Sequence, residues 1–283
     1  MAQRSFDESA VHLCRPRVFP DTRVARSTIA HAQDDGIVCV TPNATASYLI
    51  HLDGSVERHH DWPRAILSEL PLDGGGAFAW ASGRADPANV VPPYVMYRDA
   101  ASGEVAVEEL PFRPAWATWW NGRAYFSYVP SEAHPHHGLA SWAPGEGGRI
   151  ELIDISLFAC HPGAGELLLE PCTRDDDNRY LRRLITDGWT WHPERGCDAR
   201  ALSHYGAASS HAAHEGWTAT AYPESDVVRL VRGDGKAVLL TVYYPFRVAW
   251  LGSSLLVSTT DHDLLVFDDI LDCLGRAARA LTD

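Results

Sequence analysis

The amino-acid sequence predicts an all-β protein. Short runs of apolar and β-branched residues recur along nearly the whole chain, separated by Gly, Pro, Asn and Asp. A typical run has about five residues, the usual length of a β-strand. A helical pattern begins only near the C-terminus, where apolar side chains from Ile270 onward fall on one helical face. The 283 residues are enough for one large domain or two small ones.

Internal repetition decides among the all-β architectures. The segment Pro111–Trp116 (PFRPAW) matches Pro245–Trp250 (PFRVAW), and the two copies lie 134 residues apart. Between residues 54 and 235, a glycine in a turn between two strand-like runs recurs about every 45 residues. These glycines are Gly54, Gly103, Gly148, Gly196 and Gly235. Repeats of about 40–50 residues with four strands each are typical of propeller blades.

This period and strand order resemble the β-propeller repeat architecture. The resemblance covers residues 14–269 and implies a single propeller of six four-stranded blades. It carries no family fingerprint, because the Trp-Asp dipeptide of WD40 blade ends is absent and the double glycines do not recur in the kelch pattern. The expected blades are 27–62, 63–110, 111–155, 156–205, 206–244 and 245–268.

The last expected blade is one strand short. Residues 14–24 (CRPRVFPDTRV) precede the first blade and have a strand-like pattern, so we expect them to supply the missing outer strand and close the ring. The chain then comprises an N-terminal tail (1–13), the propeller (14–269) and a short C-terminal helix (270–283). The alternatives are a β-sandwich with a long insertion and a propeller of five or seven blades.

Charge and composition limit the partners and the location. The formal net charge of -13 repels phosphate backbones, which argues against a nucleic-acid partner. No apolar run approaches the ~20 residues of a membrane helix, which argues against a membrane partner. The N-terminus lacks a signal peptide, and the six cysteines include no CxxC pair, so we expect a cytoplasmic protein with reduced thiols. The Arg-rich, Lys-poor composition indicates a GC-rich bacterial source.

Three long polar loops mark one expected functional face. They lie at 82–93, 130–138 and 172–179, between the second and third strands of blades two, three and four. The candidate ligand-binding residues on the last two loops are His134, His136, His137, Asp175 and Asp176. Imidazoles and carboxylates that meet across neighbouring blades suit a divalent transition metal or a polar ligand. The alternative is a solvated loop face that binds nothing.

A second candidate site lies on the strands expected to line the axial channel. Measured back from the following turn glycine, His31 and His211 take equivalent positions, and His161 is one position away. These three histidines are the predicted metal ligands, for a divalent transition metal. His214 and Glu215 are the predicted catalytic residues, with one or the other acting as the base. The alternative is a water-filled channel lined by ordinary polar groups.

Tryptophans offer a third type of contact. Trp119 and Trp120 lie beside the Asn121-Gly122 turn, and one of them is expected to point toward the channel or the face, where it could stack on a ligand. Packing between blades is the alternative. The cysteines and histidines between Cys160 and Cys197 contain no closely spaced cysteine pair, which disfavours a zinc finger.

The leading functional interpretation is a binding module that presents an acidic, His-rich face and an axial channel to a small molecule or a protein. The alternative is a metal-dependent hydrolase, lyase or isomerase with a His-lined site on the propeller axis. A third interpretation is a structural propeller that docks through its C-terminal helix. Because propellers host many functions, the sequence does not decide whether the protein is an enzyme.

Overall fold

The computed structural model describes residues 15–72, 75–86, 89–130, 136–174, 180–181 and 185–274. The fold is an all-β propeller of six four-stranded antiparallel blades with one short C-terminal helix, so the predicted fold class is confirmed. Within the described ranges, none of the helical segments has the length and apolarity to cross a membrane.

The strands are numbered in chain order. Short alternating runs in the sequence become short strands, because each run buries one face or both faces against its neighbours. They are β1 (Arg17–Val18), β2 (Thr28–Gln33), β3 (Gly36–Val40), β4 (Ala44–His51), β5 (Val56–Ile66), β6 (Ser68–Pro71), β7 (Ala77–Ala81), β8 (Arg84–Asp86), β9 (Asn89–Val91), β10 (Tyr94–Arg98), β11 (Val105–Glu109), β12 (Arg113–Trp120), β13 (Arg123–Val129), β14 (Gly138–Ala143), β15 (Gly147–Ile153), β16 (Leu157–Pro162), β17 (Leu167–Pro171), β18 (Thr173–Arg174), β19 (Tyr180–Leu181), β20 (Asp187–His192), β21 (Gly196–Ala201), β22 (Ser210–His214), β23 (Trp217–Tyr222), β24 (Val227–Arg232), β25 (Ala237–Thr241), β26 (Pro245–Leu251), β27 (Ser254–Thr259) and β28 (Leu264–Phe267).

Each blade follows the chain in up-and-down order. Blade one is β2–β5, blade three is β12–β15 and blade five is β22–β25. Blade two is β6, β7, β10 and β11, and blade four is β16, β17, β20 and β21. The small hairpins β8–β9 and β18–β19 extend from the connections between the second and third strands of blades two and four. Strand β5 continues to Ile66, past the expected end of blade one at Trp62.

The N-terminal strand completes blade six. In this blade β26, β27 and β28 are followed by β1, with Arg17 opposite Val266 and Val18 opposite Leu265. The Phe19 amide donates a hydrogen bond to the Leu264 carbonyl at 2.8 Å, and the Phe19 side chain is buried. The segment expected to close the propeller therefore does so, with one of its aromatic side chains in the core.

The chain divides into two compact units, the first with most of blade one and with blades five and six, the second with blades two, three and four. Unit one contains residues 1–42, 46–61 and 208–283, and unit two contains residues 43–45 and 62–207. In unit one, one apolar cluster joins blades five and six, and a second joins blades six and one. The second cluster includes Phe19 and Val24, which ties the N-terminal segment to both of these blades.

Unit two contains an aromatic cluster between blades two and three. The ring of Phe78 lies 5.3 Å from that of Trp142, 5.6 Å from that of Trp80 and 5.7 Å from that of Phe126. Phe112 adds a further ring 5.5 Å from Phe126. Large flat side chains fill the wedge between two sheets, which explains why tryptophan and phenylalanine recur on these strands.

The C-terminal helix begins as part of the core of unit one. Residues 270–274 are helical, and Ile270 is fully buried in the cluster between blades five and six. The Leu271 amide donates a hydrogen bond to the Ser253 carbonyl at 3.1 Å. The described part of the helix thus packs on its own propeller, whereas docking to a partner through it stays a prediction.

Candidate functional site

A cleft of 410 Å³ opens in unit two between blades three and four. The connection from β15 to β16 forms one side, and the end of β17 with strands β20 and β21 forms the other. The lining residues are 152–156, Pro171, Cys172, Ile185, Trp189 and Cys197. The lining is therefore mostly aliphatic and aromatic, with one carboxylate, one hydroxyl and two thiols.

The backbone of the connection is shaped by Asp154. This residue has a φ of 59°, in the left-handed region where aspartate and asparagine are the commonest residues after glycine. It turns the chain from the outer strand of blade three toward the first strand of blade four. The Cys172 amide then donates a hydrogen bond to the Ser156 carbonyl at 3.0 Å, which fixes the connection against the end of β17.

Two thiols face different environments in the cleft. The Cys172 side chain is buried, and its Sγ lies 3.4 Å from the Ser156 Oγ, within sulfur hydrogen-bond distance. Cys197 is exposed, and desolvation followed by the charge of Asp198 raises the pKa of its thiol. A thiol with a raised pKa has little thiolate at neutral pH, so Cys197 is accessible but weakly nucleophilic.

The rim of the cleft carries a histidine–aspartate contact. The Nδ1 atom of His136 lies 2.6 Å from Oδ1 of Asp154. The His136 side chain is 49% exposed and the Asp154 side chain is 69% exposed. His136 and half-buried His137 are the described members of the predicted loop set. His134, Asp175 and Asp176 lie outside the described residues. The structure thus brings one predicted histidine to the cleft rim, against a carboxylate that the sequence analysis did not single out.

The strand register revises the predicted alignment of the three channel histidines. His31 pairs with Val38 and lies two residues before Gln33, the last residue of β2 paired across its hairpin. His161 pairs with Leu168 and lies two residues before Gly163. The Gly163 amide donates a hydrogen bond to the Glu166 carbonyl, so Gly163 takes the place in this hairpin that Gln33 takes in the hairpin of blade one. His211 lies three residues before His214, the last paired residue of β22. His31 and His161 are therefore equivalent, and His211 is one position away.

The cause of this difference is the role of two glycines. Gly216 is a turn residue, and it follows Glu215 with both residues at positive φ, as in a two-residue hairpin turn. Gly36 instead begins β3, where a Cβ atom would lie 2.1 Å from the Ile50 carbonyl oxygen of the next strand. Counting back from a glycine therefore compares different positions in the two hairpins. Adjacent strand positions face opposite sides, so the predicted equivalence of His31 with His211 is wrong in register.

The remaining features of these histidines are local. His211 is exposed, with Nδ1 3.2 Å from the Thr220 hydroxyl oxygen on the paired strand. The His161 ring meets the Trp116 ring edge-on at 5.9 Å. His31 is half-buried. Metal binding by His31, His161 and His211 is not tested by these contacts and stays a prediction.

The two predicted catalytic residues lie at the turn between β22 and β23. The Nε2 atom of His214 is 3.7 Å from Oε1 of Glu215, and the Glu215 side chain is 72% exposed. The His214 ring also lies 6.1 Å from the Trp250 ring. The catalytic role of both residues stays a prediction.

The two tryptophans beside the Asn121-Gly122 turn take part in packing. Trp120 is buried and its ring lies 5.5 Å from Tyr125 and 6.3 Å from His192. Trp119 is half-buried and packs against the aromatic cluster between blades two and three. Packing between blades accounts for both side chains, and their contact with a ligand stays a prediction.

Loop length in the sequence predicts the neighbourhood of the cleft but not most of its lining. The long loops of blades three and four are expected to lie together, and Cys172 begins the loop of blade four. Trp189, Ser156 and Asp154 were not singled out. Their signal is weak, because aliphatic and aromatic residues at strand ends have the same pattern as core residues.

Comparison with solved structures gives the same class of protein. Regucalcin, a calcium-binding protein from Agrobacterium tumefaciens, is 14% identical over 90% of this chain and 94% of its own, with a TM-score of 0.58. A gluconolactonase from Xanthomonas campestris is 13% identical over 89% and 93%, with a TM-score of 0.52. Virginiamycin B lyase from Staphylococcus aureus is 10% identical over 92% and 90%, also with a TM-score of 0.52. No protein-family model and no curated protein matches the chain. At these identities the likeness shows the propeller fold alone.

Proposed function

We propose that this propeller is a binding module and that the cleft of unit two holds a small-molecule ligand. The observation that carries the proposal is the combination of size and lining. Ligand pockets usually have volumes of about 300–1,000 Å³, with apolar walls and a few polar groups that fix orientation. The cleft has a volume of 410 Å³, with Trp189 and aliphatic side chains as walls and Asp154, Ser156 and two thiols as polar groups.

The position of the cleft supports the proposal. It lies at the connection between two blades and beside Cys172, where one of the long predicted loops begins. Loops held by a rigid scaffold often carry binding residues, because the scaffold fixes their ends at little entropic cost. Here the hydrogen bond from Cys172 to Ser156 holds the two sides of the cleft together.

A small molecule fits the cleft better than a protein does. A stable protein interface buries about 800 Å² on each partner, usually on a broad surface. A concave cleft of 410 Å³ instead has room for a ligand of one or two rings. A protein partner, like a cytoplasmic location, stays a prediction from the sequence.

Fragment binding tests this function. In a screen by ligand-observed NMR, we expect hits whose affinity falls at least about tenfold in Trp189→Ala, equal to about 1.4 kcal/mol. The reason is that the substitution removes the aromatic wall of the cleft.

We also expect hits to slow alkylation of Cys197 by iodoacetamide, measured by mass spectrometry of each cysteine peptide. Cys39, whose pKa is raised by complete burial, serves as the unreactive internal reference.

Two further variants complete the experiment. Trp217→Ala removes a half-buried tryptophan of a different blade and should leave every hit unchanged. Cys197→Phe adds bulk at an exposed lining position and should weaken binding without removing any core side chain. The proposal would be overturned if the affinity of every hit were unchanged in both Trp189→Ala and Cys197→Phe, or if the screen gave no hits.

A metal-dependent enzyme is the second candidate function. Its support is the presence of a gluconolactonase and a lyase among solved propellers of similar structure. As predicted from the sequence, this alternative takes His31, His161 and His211 as ligands of a divalent transition metal and His214 or Glu215 as the base. The strand register removes the positional argument for His211, which lies one position away from His31.

Metal analysis tests this second candidate. Elemental analysis of the purified protein should find a stoichiometric metal that EDTA removes. We expect His31→Ala and His161→Ala to lower the metal content, because each removes a ligand atom, whereas His51→Ala should not. His51 is a half-buried histidine that contacts Glu57 on the neighbouring strand. Protein that holds no metal after incubation with Zn²⁺, Mn²⁺ or Ni²⁺ would contradict the enzyme hypothesis.

A further inference from the structure

We propose that the cleft selects cationic ligands, namely an ammonium or guanidinium group attached to a flat apolar body. This inference rests on the proposed binding function and adds the chemical class of the ligand. Asp154 is the expected counter-charge, and the indole of Trp189 is the expected platform. The cleft thus combines the two groups that proteins use to recognise organic cations.

The first step is the charge of the lining. Among the described residues that line the cleft, Asp154 is the one with a formal charge at neutral pH. Its contact with His136 engages Oδ1, and a carboxylate has a second oxygen that can accept another donor. The Asp154 side chain is 69% exposed, so an incoming ligand can reach it.

The second step concerns the charges around the cleft. Arg200 lies on β21, three residues after Cys197, and is ion-paired at 2.6 Å with Glu170, the neighbour of Pro171 on β17, so this cation is compensated. At the far wall, Asp198 follows Cys197 on β21 and brings a second carboxylate beside the cleft. Burial, followed by the charge of Asp198, raises the pKa of the Cys197 thiol. The formal net charge of -13 adds a long-range attraction for cations.

The third step concerns the apolar body of the ligand. Trp189 presents an indole, the aromatic side chain that interacts most strongly with cations over its face. Leu152, Ile155 and Pro171 add an aliphatic surface that favours burial of a flat hydrocarbon group. A simple hydrated metal ion would leave this surface unused, whereas an organic cation covers it.

Three indole probes of nearly equal size test the inference. Tryptamine is a cation, tryptophol is neutral and indole-3-propionate is an anion. By calorimetry at low salt, we expect tryptamine to bind about three- to tenfold more tightly than tryptophol, and the anion most weakly. The preference should shrink as salt is added, because the Asp154 carboxylate is exposed to screening.

Two charge-matched variants identify the source of the preference. Asp154→Asn should abolish the difference between tryptamine and tryptophol. Asp35→Asn changes the net charge by the same amount at an exposed turn and should retain the difference. Equal binding of the three probes, or a preference that survives Asp154→Asn, would overturn the inference. If that equal binding still depends on Trp189, the binding function stands, so the two failures are distinguishable.

Discussion

Phe126→Ala should lower the free energy of unfolding by about 3–5 kcal/mol. Phe126 is fully buried, and its ring lies 5.5 Å from Phe112, 5.7 Å from Phe78 and 6.3 Å from Trp80. The substitution leaves a cavity between blades two and three that rigid strands on both sides cannot close. Because a typical domain is stabilised by only about 5–15 kcal/mol, the loss is a large fraction of the total. Urea unfolding followed by tryptophan fluorescence measures it.

A matched control separates burial from aromatic content. Tyr243 is 64% exposed, so Tyr243→Ala should change the free energy of unfolding by no more than about 0.5 kcal/mol. A similar small effect for Phe126→Ala would mean that the aromatic cluster does not contribute to the core as its ring distances imply.

The fold could be predicted from sequence because its information is local and repeated. The copies PFRPAW and PFRVAW begin the first strands of blades three and six, β12 and β26. Strand length, alternation and turn residues are set by neighbours in the chain. The N-terminal strand could be predicted as well, since six four-stranded blades leave one strand to be supplied from elsewhere.

The register of the candidate site could not be predicted in the same way. A glycine is required in the turn at Gly216 because of its positive φ, but at Gly36 because a neighbouring backbone approaches closely. Both causes select glycine, so the sequence does not show which of the two applies at a given position. An error of one position reverses the side to which a histidine points, so a motif based on glycine spacing places a strand but not its side chains.

The cleft was missed for a different physical reason. Its shape depends on contacts between segments far apart in the chain, such as the hydrogen bond between Cys172 and Ser156. Trp189 reads as a core residue because it lies on a strand with the same alternation as Trp191, which is buried. Sequence alone cannot tell that one tryptophan fills the space between blades while the other borders a cavity.

Truncation of the chain to start at Arg26 should destabilise the propeller by about 3–6 kcal/mol. The truncation removes β1 and the buried side chains of Phe19 and Val24, each of which contributes about 1.5–3 kcal/mol through burial. It also leaves β28 as an uncovered sheet edge, which invites pairing with another molecule. Chemical denaturation measures the loss of stability, and light scattering detects the expected association.

The control truncation starts at Arg15 and keeps all of β1, so it should retain the stability that the shorter chain loses. A pair of point variants then assigns the effect to burial rather than to chain length. Phe19→Ala should lower the free energy of unfolding several times more than Val18→Ala does, because Phe19 is 5% exposed and Val18 is 50% exposed. Equal unfolding midpoints for the chains that start at Arg15 and Arg26 would show that blade six is stable with three strands. The closing strand would then protect an edge without stabilising the fold, and only the association measured by light scattering should differ between the two chains.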